Sequence, residues 1–541
     1  MADVFDQRKS VLTFWLGCLA VTAGVLTHVP MFLMGRSTHY VLAGMPMGAP
    51  MLLGMLAIVA GIALAAYGLL PTGVSHAGRT IEPIAPPENA PLSLHHWAVA
   101  GLLALALIID IMKPASLGFV APGMRSEYSI SAAVAAWLPF SALTGTVIGS
   151  FVWGALADLY GRRAAILLSS VMFIGTAICG AMPSFWWNVV MCFLMGAAAG
   201  GMLPVAYALL AEIMPTRHRG WCLVLIGGIG AIGGYLVASA CSALLQPMFG
   251  WRVMWLLNFP TGLLLVLLSP WLPESARFLQ QTGRAGEARA MLQRFGVLAT
   301  AAQDHVSVAA ARTRATSNPG HLAGITAALT LTALVWSLVN FGLLLWLPSA
   351  LVAEGRSVSA ASALIARWTV IAAPVVLIST WLYSAWSTRG ALMVMLVITS
   401  CGLLGLELRS FTSGLFASIA LDLTLLIIGT SGMIAILLPY TSENFPLRVR
   451  ARATGWVAGC SKLGGLIAQG VSVAGITPAL STAAVTIAVP ALAALALLAR
   501  YGRETRQRDL RELEVESPAS RQSRNLQGAT AAATPATRDP A

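Results

Sequence analysis

Residues 97–120 read WAVAGLLALALIIDIMKPASLGFV, a block in which Asp110 and Lys113 are the charged residues. A helix of about 20 apolar residues crosses a bilayer, so this block predicts a transmembrane span. It is typical of the chain, because 57% of the 541 residues are hydrophobic and 10% are charged, whereas a soluble domain carries about a quarter charged residues. This composition excludes a soluble enzyme, a fibrous protein and a nucleic-acid binder. We expect a lipid bilayer around the chain and no nucleic-acid partner.

Similar blocks recur along the chain, and they lack the strict alternation of polar and apolar residues that marks a barrel strand. The sequence therefore predicts an all-α polytopic membrane protein with about 14 spans, each about 20 residues long. The blocks lie near 14–34, 50–70, 97–120, 133–157, 163–183, 186–211, 221–245, 251–272, 322–348, 361–385, 390–407, 411–440, 450–474 and 477–499.

Two basic segments at the ends of apolar blocks share one pattern. Residues 212–219 read EIMPTRHR and residues 443–450 read ENFPLRVR, so E-x-x-P-x-R-x-R occurs twice. Each copy follows the fourth block of a set of six, which predicts two six-helix bundles in parallel pseudo-repeat, as in many secondary transporters. The predicted units are an N-terminal two-helix hairpin with its linker (1–96), a first bundle (97–272), a cytoplasmic loop (273–321), a second bundle (322–500) and a disordered cytoplasmic tail (501–541).

The distribution of arginine predicts the orientation. Most of the 33 basic residues lie in connections on one side of the predicted membrane, together with the 273–321 loop and the tail. Cytoplasmic loops carry such an excess of Lys and Arg. We therefore expect a multi-pass plasma (inner) membrane protein with both termini in the cytoplasm.

Three motifs resemble the major facilitator superfamily, over residues 97–500. Residues 154–163 read GALADLYGRR, similar to the G-x-L-x-D-x-x-G-R-R loop of that family, and residues 273–279 read PESARFL, similar to its P-E-S-x-R-x-L segment. The first span of the first bundle, with Asp110 before PASLGF, resembles the metabolite/proton symporter branch. The resemblance implies that the protein works by alternating access, as a functional monomer and without a cofactor.

The resemblance also implies a gate of charged residues at the cytoplasmic ends of the spans. In the family, the aspartate of the first motif helps to lock the two halves together. By this resemblance, the gating residues are Asp158, Arg162, Arg163, Glu212, Arg219, Glu274, Arg277, Glu443 and Arg450.

Five ionisable residues lie within apolar blocks: Asp110, Lys113, Arg367, Asp422 and Lys462. Each costs about 2.5–3.5 kcal/mol if it faces lipid, so such residues normally face the interior and have a function. We expect Asp110, and then Asp422, to carry the coupled proton. Lys113, Arg367, Lys462 and the amide of Asn340 are expected to bind an anionic substrate. Static ion pairs, Asp110 with Lys113 and Asp422 with Arg367 or Lys462, are the alternative.

The functional prediction is a secondary active transporter, coupled to protons, that takes up a small organic anion by symport. Proton-coupled efflux of a drug or metabolite and a non-transporting membrane sensor are the alternatives. An enzyme is not expected, because the histidines are scattered and motifs such as H-E-x-x-H and G-x-S-x-G do not occur. We expect no metal site; the methionines near the hairpin connection favour packing over Cu(I) binding.

Overall fold

The computed structural model describes residues 2–70, 91–296, 319–408, 419–445, 447–476 and 478–506. These residues are helical and contain no strand, which confirms the predicted fold class. The spans are α1 (Ala2–Leu26), α2 (Ala49–Leu69), α3 (Leu94–Tyr128), α4 (Trp137–Tyr160), α5 (Arg162–Thr176), α6 (Phe185–Ile213), α7 (Thr216–Phe249), α8 (Asn258–Leu267), α9 (Gly320–Ala353), α10 (Val358–Trp386), α11 (Thr388–Leu408), α12 (Ile419–Asn444), α13 (Leu447–Val473) and α14 (Leu480–Tyr501).

Each predicted apolar block overlaps one of these helices, although residues 411–418 of the block 411–440 lie outside the described residues. Twelve helices of the described chain are long and apolar enough to cross a membrane. The other two blocks correspond to α8, which is short, and α13, which carries several basic residues. The predicted loop 273–321 begins with two short helices, Ala276–Gln281 and Ala285–Arg294. They form because apolar side chains such as Phe278 and Leu292 are buried against the bundle at helical spacing.

The two six-helix sets repeat the same packing. In the first half α3 packs on α7 and α5 on α8, and in the second half α9 packs on α13 and α11 on α14. Glycines allow the helices to approach closely: a Cβ on Gly145 or Gly196 would overlap backbone atoms of the partner helix in the α4–α6 pair. The halves meet where α3 contacts α9, α4 contacts α13, and α7 contacts α10 and α12. A central space lies between these contacts.

The hairpin α1–α2 is attached to the first half through a buried carboxylate. Both of its helices pack on α5, and its connection is bound by Glu127, which accepts hydrogen bonds from the backbone N–H groups of Leu42 (2.8 Å) and Ala43 (2.9 Å). Arg252, which is fully buried, donates to the same carboxylate at 2.6 Å. Within the hairpin, His28 bonds to the carbonyl of Gly24. This end of the bundle is called the Glu127 end below.

We predict that Glu127→Ala lowers the thermal stability of the detergent-purified protein strongly, because it leaves the Arg252 guanidinium buried without its carboxylate. Breaking one partner of a buried ion pair costs about 3–5 kcal/mol. Glu287→Ala is the matched control, since the Arg284–Glu287 pair is 47% and 53% exposed and such pairs contribute about 0–1 kcal/mol. Equal melting temperatures for the two variants would contradict the prediction.

Candidate transport site

A cavity with about 890 Å³ of empty space lies between the two halves. Its wall comes from α3, α4, α6 and α7 of the first half and from α9, α12 and α13 of the second. Most lining side chains are apolar, so the few polar groups stand out. Asp110 and Lys462 are the charged side chains among its described lining residues.

Asp110 lies on α3, and its side chain is brought to the cavity beside Pro114. Pro114 has no N–H to donate to the carbonyl of Asp110, so the helix is polar at this turn. The carboxylate is almost fully buried, and its Oδ1 atom has no hydrogen-bond partner. Lys462 on α13 lines the same cavity from the other half. A carboxylate and an ammonium therefore face one cavity from opposite halves.

Two adjoining aromatic rings lie near the Lys462 ammonium. Its Nζ lies 5.7 Å from the centroid of Trp336 and 5.1 Å from that of Phe341, within the range of a cation–π interaction. The indole N–H of Trp336 donates to the carbonyl of Thr430 at 2.9 Å, which fixes the ring. Thus the cation of the second half sits in an aromatic surrounding.

Phe341 lies in a widened turn of α9. Residues Val339–Leu343 form a π-helical turn, a feature frequent at functional sites. Gln469 on α13 donates to the Phe341 carbonyl at 2.6 Å, and Ser337 accepts from the N–H of Gly465 at 2.7 Å. Both bonds join α9 to α13 on the C-terminal side of Lys462. Asn340, in the same turn, lines the cavity as expected for a substrate-binding residue.

Three of the predicted intramembrane charges do not line the cavity. Lys113 is buried inside the first half, Arg367 is exposed on α10, and Asp422 is buried where α12 packs on α11, beside Gly405. The described residues contain no ion pair between Asp110 and Lys113. The structure therefore brings together Asp110, Asn340 and Lys462. It adds Trp336 and Phe341, which the sequence reasoning missed although Trp336 lies four residues before Asn340 on the same helix face.

The profile of the Major Facilitator Superfamily matches residues 103–469, more than half of the chain. The chain belongs to this superfamily. It is a membrane transporter and not an enzyme, as the sequence predicted.

Individual proteins agree with this assignment. The chain resembles a partially occluded, inward-open structure of the xylose transporter XylE from E. coli, with a TM-score of 0.63 and 16% identity over 77% of this chain and all of that one. It is 25% identical to the niacin transporter NiaP of Acinetobacter baylyi, over 70% of this chain and 87% of the relative. It is 24% identical to the benzoate transport protein of the same organism, over 70% and 83%.

The superfamily motif of residues 154–163 forms a compact charge cluster at the end of α4, called the Asp158 end below. Arg162 pairs with Asp158 at 3.2 Å and with Glu212 at 3.2 Å. Gly161 has φ +105°, a conformation that suits glycine, and a Cβ there would overlap the Glu274 carboxylate. Glu274 accepts from the backbone N–H groups of Arg162 and Arg163, and burial raises the pKa of this carboxyl.

The side chains of the other predicted gating residues are not joined to Asp158, Arg162 or Glu212 by a described ion pair. Arg163 donates to the carbonyl of Ser269, and Arg219 donates to that of Met214. The side chain of Arg277 is exposed, and that of Arg450 lies outside the described residues. The ion pairs described at this end join residues of the first half to each other, and Asp158 remains 77% exposed.

The second half has a matching carboxylate that the sequence reasoning missed. Glu504, just after α14, accepts from Ser387 and from the N–H and hydroxyl of Thr388 at the start of α11. Burial acts to raise the pKa of Glu504, but these hydrogen bonds outweigh it and the pKa lies below its ordinary value. Thr505 donates to Glu443 at 2.6 Å. Glu504 thus accepts from the first N–H of α11 as Glu274 accepts from the first N–H of α5. The sequence signal for this carboxylate was the segment R-E-T-R at 503–506.

The cavity is closed towards the Glu127 end. There the hydroxyls of Ser242 on α7 and Ser362 on α10 lie 2.7 Å apart, and Ser359 donates to the carbonyl of Ala243 at 2.8 Å. Towards the Asp158 end, a Cβ added to Gly154 on α4, or to Gly455 on α13, would meet nothing within 4 Å. There is thus open space beside these two glycines, whereas a Cβ on Gly220 of α7 would lie 3.3 Å from Glu443 Oε1 of the second half.

Proposed function

We propose that this transporter takes up a small aromatic monocarboxylate together with a proton. The observation that carries the proposal is the Lys462 ammonium, which lies beside the adjoining rings of Trp336 and Phe341 and shares with Asp110 a cavity lined by both halves. A lysine ammonium suits a carboxylate, and aromatic rings suit the flat faces of an aromatic acid. The two named relatives transport niacin and benzoate, which are aromatic acids of this kind.

Charge balance supports proton coupling. In the empty cavity one lysine balances one aspartate, so entry of a substrate anion would leave two negative charges on one positive charge. A proton on Asp110 restores the balance, and it also frees Lys462 to pair with the substrate. Buried charge without a counter-charge is costly, so the site favours binding of the anion and the proton together. Sugars suit the cavity less well, because few amide side chains line it.

The same proposal assigns the sides of the membrane. With the arginine-rich Asp158 end in the cytoplasm, the contacts at the Glu127 end close the cavity towards the outside, and both termini lie on the cytoplasmic side of the plasma membrane. Closure at that end would bring Asp158, Arg162 and Glu212 towards Glu443 of the other half, which is the gating role that the family motif implies. The transporter works as a monomer. Arg367 and Asp422, which lie away from the cavity, take no part in substrate binding here.

Reconstituted vesicles test this function directly. We expect uptake of labelled benzoate and nicotinate, above that of protein-free vesicles, to increase when the outside is made acidic. Asp110→Asn should abolish the response to the pH gradient, because no group remains to carry the proton. Lys462→Gln should raise KM about tenfold or more, since a hydrogen bond to a charged group contributes about 1.5–3 kcal/mol.

Arg367→Gln is the matched control for these variants, because it removes an intramembrane cation that does not line the cavity. It should leave uptake unchanged. Uptake that ignores the pH gradient in the wild-type protein, or an Arg367→Gln defect as large as that of Lys462→Gln, would contradict the proposal. Resistance to cationic drugs without carboxylate uptake would favour efflux instead.

The aromatic surrounding of Lys462 predicts substrate selectivity. Trp336→Leu should raise KM for benzoate roughly three- to tenfold, as expected from the loss of an aromatic contact of about 0.5–1.5 kcal/mol, while inhibition by an aliphatic monocarboxylate should change little. Trp186→Leu, at a tryptophan that is 58% exposed on α6, is the control. Equal effects of Trp336→Leu on aromatic and aliphatic acids would show that the Trp336 ring does not contact the aromatic ring of the substrate.

A further inference from the structure

Lys113 lies inside the first bundle, behind the wall of the cavity. Its side chain is 1% exposed, and its Nζ atom has no hydrogen-bond partner. The ammonium lies over the ring of Phe173 on α5, 2.7 Å from the centroid. This contact offers an attraction to the ring face but no acceptor for the N–H groups. An amine buried in this way is costly, so a purely structural role gives no reason for its presence.

Asp110 lies one helical turn before Lys113 on α3. The two residues are three apart on α3, so their side chains share a face of the helix. Asp110 Oδ1 also lacks a hydrogen-bond partner, and the ion pairs of the described residues do not include one between Asp110 and Lys113. The unpaired Lys113 ammonium and the unpaired Asp110 oxygen therefore lie one turn apart on α3, the first in the bundle and the second at the cavity.

Other ionisable groups face Asp110 from the helices around it. Lys462 projects from α13, and the Tyr235 phenol on α7 lines the same cavity and donates to the carbonyl of Leu344 at 3.4 Å. From α5, the ring of Phe173 faces Lys113. Lys462 is thus the cation on the cavity side of Asp110, and Lys113, which does not line the cavity, is the cation on the bundle side.

We propose that Lys113 is a positioning residue for the proton site, an internal counter-ion that moves between the Phe173 ring and the Asp110 carboxylate. The inference rests on the proposed function and deepens it. While Asp110 holds the coupled proton, the ammonium stays on the ring. When the substrate has left, the proton passes from Asp110 to water in the cavity, and Lys113, which keeps its own protons, pairs with the carboxylate. The counter-ion thereby makes release of the proton easier.

Comparison of net uptake with exchange tests this role. Net uptake driven by a pH gradient requires Asp110 to release its proton in every cycle, whereas exchange of labelled for unlabelled benzoate across the vesicle membrane does not. Lys113→Met should lower the rate of net uptake about tenfold, which corresponds to losing roughly 1.4 kcal/mol of charge interaction, and should leave exchange within about twofold of wild type. Lys113→Arg keeps the charge and should restore most of the net uptake.

The outcomes separate this inference from the function on which it rests. If the wild-type protein shows no proton-driven uptake of benzoate or nicotinate, the proposed function fails. If the wild-type protein shows it and Lys113→Met slows neither process, the counter-ion role is overturned. Loss of both processes in Lys113→Met, or a defect of net uptake in Lys113→Arg as large as in Lys113→Met, also overturns it, because the residue would then serve binding or folding.

Discussion

A carboxylate and an ammonium facing one cavity from opposite halves are the constraint on which the rest of the structure depends. Asp110 and Lys462 are both costly in a membrane interior, and neither is paired within its own half by a described ion pair. Their mutual attraction across the cavity offsets that cost only while the site is empty and Asp110 is charged. Any anion or proton that enters changes this balance, so ligand binding and the relation between the halves are physically linked.

The surroundings of the two residues fit this purpose. On the second half, Phe341 and Asn340 lie in the π-helical turn of α9. The hydrogen bonds made by Gln469 and Ser337 hold α9 against α13, the helix that carries Lys462. On the first half, Asp110 sits beside a proline that breaks the backbone bonding of α3. The hydrogen bonds that fix the lysine side are thus specific and buried, whereas the aspartate keeps an unpartnered oxygen. That asymmetry suits a fixed anion site opposite a group that gains and loses a proton.

The ends of the spans follow the internal repeat more closely than the sequence motifs indicate. Glu274 and Glu504 each accept from the first N–H groups of a helix, α5 and α11, at the same place in the two halves. Acidic groups at helix N-termini are favoured by the helix dipole. Each half therefore uses a carboxylate to hold the start of its third helix at the Asp158 end.

The spans, the repeat and the two cavity charges could be predicted from the sequence, because uninterrupted apolar blocks make a membrane helix and an isolated charge within one is conspicuous. The sequence could not predict the side of its helix on which each charged side chain lies. In helices that are apolar all round, periodicity does not distinguish lipid, bundle interior and cavity, which is why Arg367 and Lys113 were expected at the site. Trp336 and Phe341 resemble ordinary core residues in the sequence, and the π-helical turn that presents Phe341 has no signature there.

The central claim is that one proton and one carboxylate cross together through the cavity between Asp110 and Lys462. The most direct measurement records labelled nicotinate and internal pH in the same vesicles, with the membrane potential clamped at different values. The account predicts that wild-type vesicles take up protons and nicotinate in equal numbers and at a rate independent of the potential. Nicotinate entry without acidification of the interior, or entry driven by the potential alone, would contradict it.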